Sequence, residues 1–297
     1  MSDFSPEIRN SAMWSGDARK MANGKSAQVY LEKIGELAIE DISDKENVQW
    51  GHHLQDTIAR VAADRMGVRI KNADYALTHP QHEWMRSHFD AITEDGKHLL
   101  EIKNYHNSNR SKFGENGSVD VPQADYAQCL HEATVHRVER VTLCVLFGGQ
   151  ELVLFPLEFT DAHKEALIQQ EADLWAKVQL KEPPKPEDFD SAKLLYKQDD
   201  GSKLIAPPNV AKMCHDIKSL KAGIKELEEL ESQWMAQVCS FMQSSSELLD
   251  LQGNKLATWK ESAGRKTFDS KRFQAEMPKV YEQYLTTTAG SRRFLLK

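Results

Sequence analysis

Four cysteines occur in 297 residues: Cys129, Cys144, Cys214 and Cys239. They form no CxxC pair and no zinc-type spacing, which excludes a disulfide framework and suits free thiols in a reducing compartment. No apolar run is long enough to cross a bilayer, and the polar start lacks a secretory signal pattern. A cytoplasmic location with no membrane partner is therefore expected. Positive charge is in deficit, with 38 Lys and Arg against 45 Asp and Glu and a formal net charge of −7. This excludes a protein held on nucleic acid by bulk charge, but leaves room for a local basic channel. A histidine-built zinc site finds no support either. His52 and His53 are adjacent and would point to different faces of a helix, and His79, His82 and His88 have no zinc spacing. No internal repeat is present.

What is present centres on His88–Tyr105, HFDAITEDGKHLLEIKNY. Asp95-Gly96 predicts a two-residue type I′ hairpin turn. The pairing then follows: Glu94 meets Lys97, Ile92 meets Leu99 and Asp90 meets Glu101. Side chains alternate along a strand, so Glu101 and Lys103 share a face. Two facing carboxylates repel unless a cation lies between them, and hard divalent cations take oxygen ligands. Two acids, a lysine that could hold or deprotonate a water, and a metal suffice for phosphodiester hydrolysis. The bland alternative is a solvated hairpin, since exposed strands often read E-x-K.

Around this hairpin the patterning predicts an α/β layered domain with a mixed sheet. Residues 1–12 read as loose. A helix follows from Gly16, with Ser15 either capping it or helping its first turn to bind phosphate. Further helices are expected over 26–42 and 50–66, the second ended by Gly67. Residues 68–77 read as a strand. The polar loop 106–120 carries Arg110 and Lys112, which could meet phosphates or simply decorate a flexible surface. A helix over 122–134 carries Tyr126 and Gln128. The run VTLCVLF at 141–147 suits a strand buried on both faces, Gly148-Gly149 turns it into a second strand, and a long helix covers 160–180. The expected domains are 1–185, a proline-rich linker over 186–208, and a mostly helical region over 209–297. In the last region Ile217, Leu220, Ile224 and Leu227 alternate three and four apart. The pattern continues through Trp234, Val238 and Phe241 with Glu231 interrupting, as in a coiled coil that pairs within the chain or between subunits. A hairpin turning near Ala263-Gly264 and a terminal helix over 269–285 complete the expectations.

The ordered set WGHHLQ, HPQHEWMRSHFDAI, LLEIK, DYAQCLHEATV, LFGGQELVLFPLE and LWAKVQLKEPP resembles the YqaJ-type viral recombinases. These are relatives of lambda exonuclease in the PD-(D/E)xK nuclease superfamily. The resemblance covers about residues 10–185, and the rest looks like the C-terminal extension of some phage members. It implies a restriction-endonuclease-like core with a mixed β-sheet flanked by helices. Asp90 and Glu101 match the metal-binding acids, Ile102 the residue lending its carbonyl, and Lys103 the lysine that orients or activates water. Gln128, accompanied by Tyr126, matches a glutamine close to the active site. Ser15 and Arg9 fall where the family binds the 5′ phosphate.

The implied activity is Mg²⁺-dependent (Mn²⁺ being the alternative) 5′ to 3′ exonucleolysis of duplex DNA ends in a bacterial or phage-infected cytoplasm. The implied assembly is a homo-oligomer that hands its product to a single-strand annealing protein. Two positions depart from the family pattern. Gln55 stands where the family has glutamate, which predicts weaker metal binding or a changed metal preference, and Ala91 replaces a glycine. Gln55 and the coiled-coil-like helix keep open a catalytically weakened DNA-end-binding protein, and an endonuclease on the same fold is the third alternative.

Overall fold

The computed structural model describes residues 5–73, 75–287 and 290–297. The chain divides into two compact units, Met1–Lys197 and Gln198–Lys297.

The first unit begins with α1 (Pro6–Asn10), β1 (Met13–Trp14), α2 (Ser15–Ala22), α3 (Ser26–Lys33) and α4 (Glu46–Met66). Short strands follow: β2 (Ile70–Asn72), β3 (Ala76–Thr78), β4 (Met85–His88) and β5 (Ala91–Thr93). Then come β6 (His98–Tyr105), α5 (Gln123–His136), β7 (Arg140–Phe147), β8 (Glu151–Glu158), α6 (Asp161–Leu180) and α7 (Phe189–Leu195). The main sheet has the order β2-β5-β6-β7-β8. Its β6/β7 pair is parallel and the other pairs are antiparallel. A parallel pair needs a crossover, and α5 supplies it. This mixed sheet flanked by helices is the α/β layered arrangement expected from the sequence.

Period-two alternation on β6 decides which side chains meet which layer. Leu100 and Ile102 pack with Ile58, Ala59 and Ala62 of α4. Leu99 joins the opposite core with Cys129, Leu130 and Ala133 of α5. Glu101, Lys103 and Tyr105 therefore start from the α5 side of the sheet. The VTLCVLF strand is buried on both faces as expected, with only Leu146 partly open in that run.

Several boundaries differ from expectation. The 68–77 stretch is two strands, not one: β2 joins the main sheet, and β3 joins a three-stranded sheet of order β1-β4-β3. The 26–42 helix stops at Lys33, where Gly35 turns left-handed at φ 78°. The central hairpin pairs Ile92 with Leu99 as predicted, but its turn is not type I′. Only Gly96 has positive φ there, and its N–H donates to the Thr93 carbonyl at 2.8 Å. Asp95 instead accepts from the Thr93 hydroxyl at 2.6 Å and the Lys97 N–H at 3.1 Å, which holds it outside the left-handed region. Residues 1–4 lie outside the described residues, and the rest of the expected loose start carries α1, capped by the Ser5 hydroxyl. The stretch expected as a linker carries α7, whose Leu194 and Leu195 pack on the cluster around Met13, Tyr30 and Leu174.

The second unit holds α8 (Pro208–Met242), β9 (Glu247–Leu249), β10 (Lys255–Thr258), α9 (Ser270–Glu276) and α10 (Pro278–Gln283). Its hairpin turns at 250–254 and not near Ala263-Gly264. The Asp250 carboxylate accepts from the Gln252 and Asn254 N–H groups, and Gly253 takes φ 84°. The expected terminal helix breaks before Pro278, which cannot donate to the preceding turn.

Candidate active site

The site is built where β6 passes α5. Glu101 is only 4% exposed although it is a carboxylate on a central strand. Its Oε1 accepts from the Lys103 ammonium and from Gln128 Nε2 at 2.6 Å. Gln128 Nε2 also donates to Glu132 Oε1 at 3.0 Å, one helical turn further along α5. Asp90 lies just before β5. Its Oδ2 accepts from the Ile102 N–H at 2.7 Å and its Oδ1 from Gln55 Nε2 at 2.8 Å. The structure thus gathers Asp90, Glu101, Ile102, Lys103, Gln128 and Gln55 from β5, β6, α4 and α5.

The electrostatics are those of an under-compensated acidic cluster. Burial pushes the Asp90 carboxyl well above its ordinary range, and the nearby Glu101 charge adds to the effect. Glu132 is raised in the same way, by burial first and then by Glu101. Burial alone would lower Lys103, but the Glu101 and Asp90 charges outweigh it, so its pKa is raised and the ammonium persists. One lysine faces three carboxyl groups.

The donor set fits a divalent cation. Buried carboxylate oxygens in like-charge proximity are what Mg²⁺ and Mn²⁺ bind, and their repulsion is what such an ion removes. Among the described residues no group of three or more His, Cys, Asp or Glu has the arrangement of a complete metal site. Two carboxylates would therefore be completed by the Ile102 carbonyl, water or substrate oxygens.

A second network, which the sequence reading missed, borders the first. Arg19 of α2 donates to Asp125 Oδ1 at 2.5 Å and to the Tyr105 hydroxyl at 2.9 Å. The Tyr105 hydroxyl donates to the same Asp125 oxygen at 2.6 Å. Burial, then the Asp125 charge, pushes the Tyr105 phenol up to about 12. A strand and helix reading could have found part of it: E-x-K-x-Y puts Tyr105 on the Glu101 face, and Asp125, Gln128 and Glu132 recur at helical spacing. Arg19 has no such signal.

At the start of α2, Ser15 is the first helical residue and Trp14 occupies the cap position, so Ser15 is not the cap. Asp17 accepts from the Trp14 N–H at 2.9 Å and pairs with the buried Lys33 at 2.5 Å. Lys33 in turn donates to the Arg9 carbonyl at 2.6 Å. A Cβ placed on Gly16 would lie 3.7 Å from Arg9 Nη2, so the Arg9 guanidinium sits at this helix start with Ser15.

Three expected residues lie elsewhere or are occupied. Tyr126 packs edge-on against Phe159, with ring centroids 5.2 Å apart. Two residues along a helix is about 200° of rotation, which turns Tyr126 away from the Gln128 face. Arg110 is held by Glu151 at 2.9 Å and by the Phe113 and Gly114 carbonyls at 3.1 and 3.0 Å. It braces its loop. Lys112 is exposed and donates to Asn109 Oδ1 at 2.9 Å. Cys129 and Cys144 are buried, and burial raises both thiols, so neither is a ready nucleophile.

Comparison with known proteins follows the same lines. The chain is 23% identical over 279 residues to the uncharacterized protein YqaJ of Bacillus subtilis, covering 91% of this chain and 85% of that one. Among solved structures, it is similar to an alkaline exonuclease from Laribacter hongkongensis, at 10% identity and a TM-score of 0.45. That likeness covers 58% of this chain and 90% of the other. It is similar also to a phage-related exonuclease from Haemophilus somnus, at 11% identity and a TM-score of 0.42, covering 56% and 82%. Residues 7–139, which hold the acidic pair, Lys103 and Gln128, match the model of the YqaJ-like viral recombinase domain family.

Proposed function

We propose that this chain is a divalent-metal-dependent DNA exonuclease of phage-type recombination. The observation that carries the reading is the buried Asp90–Glu101 pair with Lys103 as its neighbouring cation. Asp90, Glu101 and the Ile102 carbonyl would hold Mg²⁺, or Mn²⁺ in its place. A cation there supplies Lewis-acid polarisation of the scissile phosphate and charge to offset the two acids. Lys103 presents an ammonium that would orient the attacking water and offset charge developing on the phosphate. Gln128 ties Glu101 to α5 and fixes its rotamer. Ser15 and Arg9 at the start of α2 would receive the 5′ phosphate of a duplex end, since free N–H groups and the helix dipole favour an anion there. Lys112 is the exposed cation left for backbone contact. Strand polarity of 5′ to 3′, a homo-oligomeric assembly, an annealing protein as recipient and action in the cytoplasm rest on the family resemblance.

The test uses linear duplex DNA with one labelled 5′-phosphate end, in Mg²⁺, Mn²⁺ or EDTA. Nucleotide release from that end is expected with metal alone, reduced roughly 10²–10³-fold in Lys103→Ala, with a closed circle left intact. Cleavage of the circle would replace this reading by an endonuclease.

A second reading rests on Gln55. Its amide N–H occupies Asp90 Oδ1, an oxygen that a metal would need. Unless the amide turns to present its oxygen, the protein binds DNA ends without degrading them. End binding without nucleotide release in either metal would decide for it.

A further inference from the structure

We infer that α8 is an antiparallel dimerisation helix whose partner is α8 of a second copy of the chain. α8 runs for 35 residues. Among the described residues no other element of its unit makes extensive contact with it, and Ala257–Trp259 approach only its C-terminal half. Its heptads extend further than the core pattern around Leu220 and Leu227. One seam position holds Val210, Ile217, Ile224, Glu231 and Val238, and the other holds Met213, Leu220, Leu227, Trp234 and Phe241. Nine of these ten are apolar, which is the requirement for knobs-into-holes pairing. They stand open: Leu220 is 66% exposed, Leu227 67%, Trp234 61% and Phe241 79%.

The area is that of a stable interface. Open seam side chains of this number and size present on the order of 1,000 Å² of apolar surface per copy, against about 800 Å² per partner in a standard complex. Monomeric proteins rarely leave such a patch in water. An apolar groove of about 780 Å³ runs beside the C-terminal half of α8, walled by Leu227, Trp234 and Val238 on one side and Trp259 on the other. Its lining is almost entirely apolar.

Charge and size decide the direction. In a parallel pair Glu231 would face Glu231 of the other copy inside an apolar seam. An antiparallel pair centred between Ile224 and Leu227 sets Glu231 against Leu220 and separates the two acids. The same register sets Trp234 against Ile217 and Phe241 against Val210, large against small. It also brings Lys221 beside Glu228 of the other copy, twice by symmetry. None of these residues belongs to the acidic site, so the inference does not depend on the proposed nuclease activity.

The test is the mass of the full-length chain in solution by light scattering, with the double variant Ile224→Asp/Leu227→Asp alongside. Both positions are exposed, so circular dichroism and the melting of the first unit should be unchanged in the variant. The expected result is a wild-type mass twice that of the variant at micromolar concentration. A wild type of the same mass as the variant overturns the proposal, whether the stripe is then covered by the chain itself or by another protein. Direction is read from spin labels on Lys212→Cys in a Cys214→Ser/Cys239→Ser background. Antiparallel pairing places the two labels about 40 Å apart along the axis. A separation near 20 Å or less, as side-by-side parallel helices give, overturns the direction.

Discussion

The two units of this chain depart from ordinary burial in opposite ways. The first places Asp90, Glu101 and Glu132 in a site that an ordinary core would fill with apolar side chains. The second leaves Leu220, Leu227, Trp234 and Phe241 in water on a helix that a monomer would coat with charge. Each departure has an unfavourable energy that the single chain does not offset. A buried carboxylate in like-charge proximity needs a cation or a proton. An open heptad seam needs a second helix. The comparison teaches that each region has a chemistry suited to a component from outside the chain, and the components proposed above follow from it: a hard divalent ion in one case and an apolar helix in the other.

The sharpest way to break the comparison is Asp90→Asn. DNA cleavage should fall roughly a thousandfold, while the melting temperature in EDTA stays level or rises by about 2–4 °C, as relief of about 1 kcal/mol of repulsion gives. Gln55 can turn its amide to meet the new side chain, so no donor is stranded. A loss of several degrees in EDTA would mean that the carboxylates are compensated already.

Next is the response to metal. Saturating Mg²⁺ at about 100 times its dissociation constant should stabilise the wild type by about 2.7 kcal/mol, read as a rise of several degrees. The rise should vanish in Asp90→Asn. An equal rise in both proteins would place the ion elsewhere.

A smaller effect is expected with pH. Asp90 and Glu132 are raised in the folded state, so between their unfolded and folded values the native protein binds more protons than the unfolded chain. Stability from these groups is therefore present at mildly acid pH and lost as pH rises through the folded values. In EDTA the wild type should lose more stability between pH 5 and pH 8 than the Asp90→Asn/Glu132→Gln double variant. Parallel curves would remove the acidic-cluster account.

The smallest effect is that of Gln55→Glu. A third carboxylate beside Asp90 should tighten Mg²⁺ about tenfold, near 1.4 kcal/mol, and lower the melting temperature in EDTA. Unchanged affinity would show that this helix position does not reach the ion.

Much of the first unit was legible along the chain because its signals are local. The period-two run of β6, the Gly67 stop of α4 and the apolar β7 strand each need only neighbouring residues. The E-x-K pair was legible for the same reason. The second network was not: Arg19, Tyr105 and Asp125 are 86 and 20 residues apart in successive steps and meet only because α2 packs on α5. The placement of Tyr126 against Phe159 has the same origin, since adjacency to Gln128 in sequence is opposition on a helix.

By itself, then, the sequence determined most of the longer elements, the mixed α/β class, the acidic strand pair and the heptad stripe, because alternation and helical periodicity are properties of short segments. Tertiary structure alone decided that the 68–77 run divides between two sheets, that Arg110 braces a loop and that Gln55 caps Asp90. It also decided that Glu132 joins Glu101 through Gln128. Each of these depends on which distant backbone comes within hydrogen-bonding reach, and no short segment carries that information.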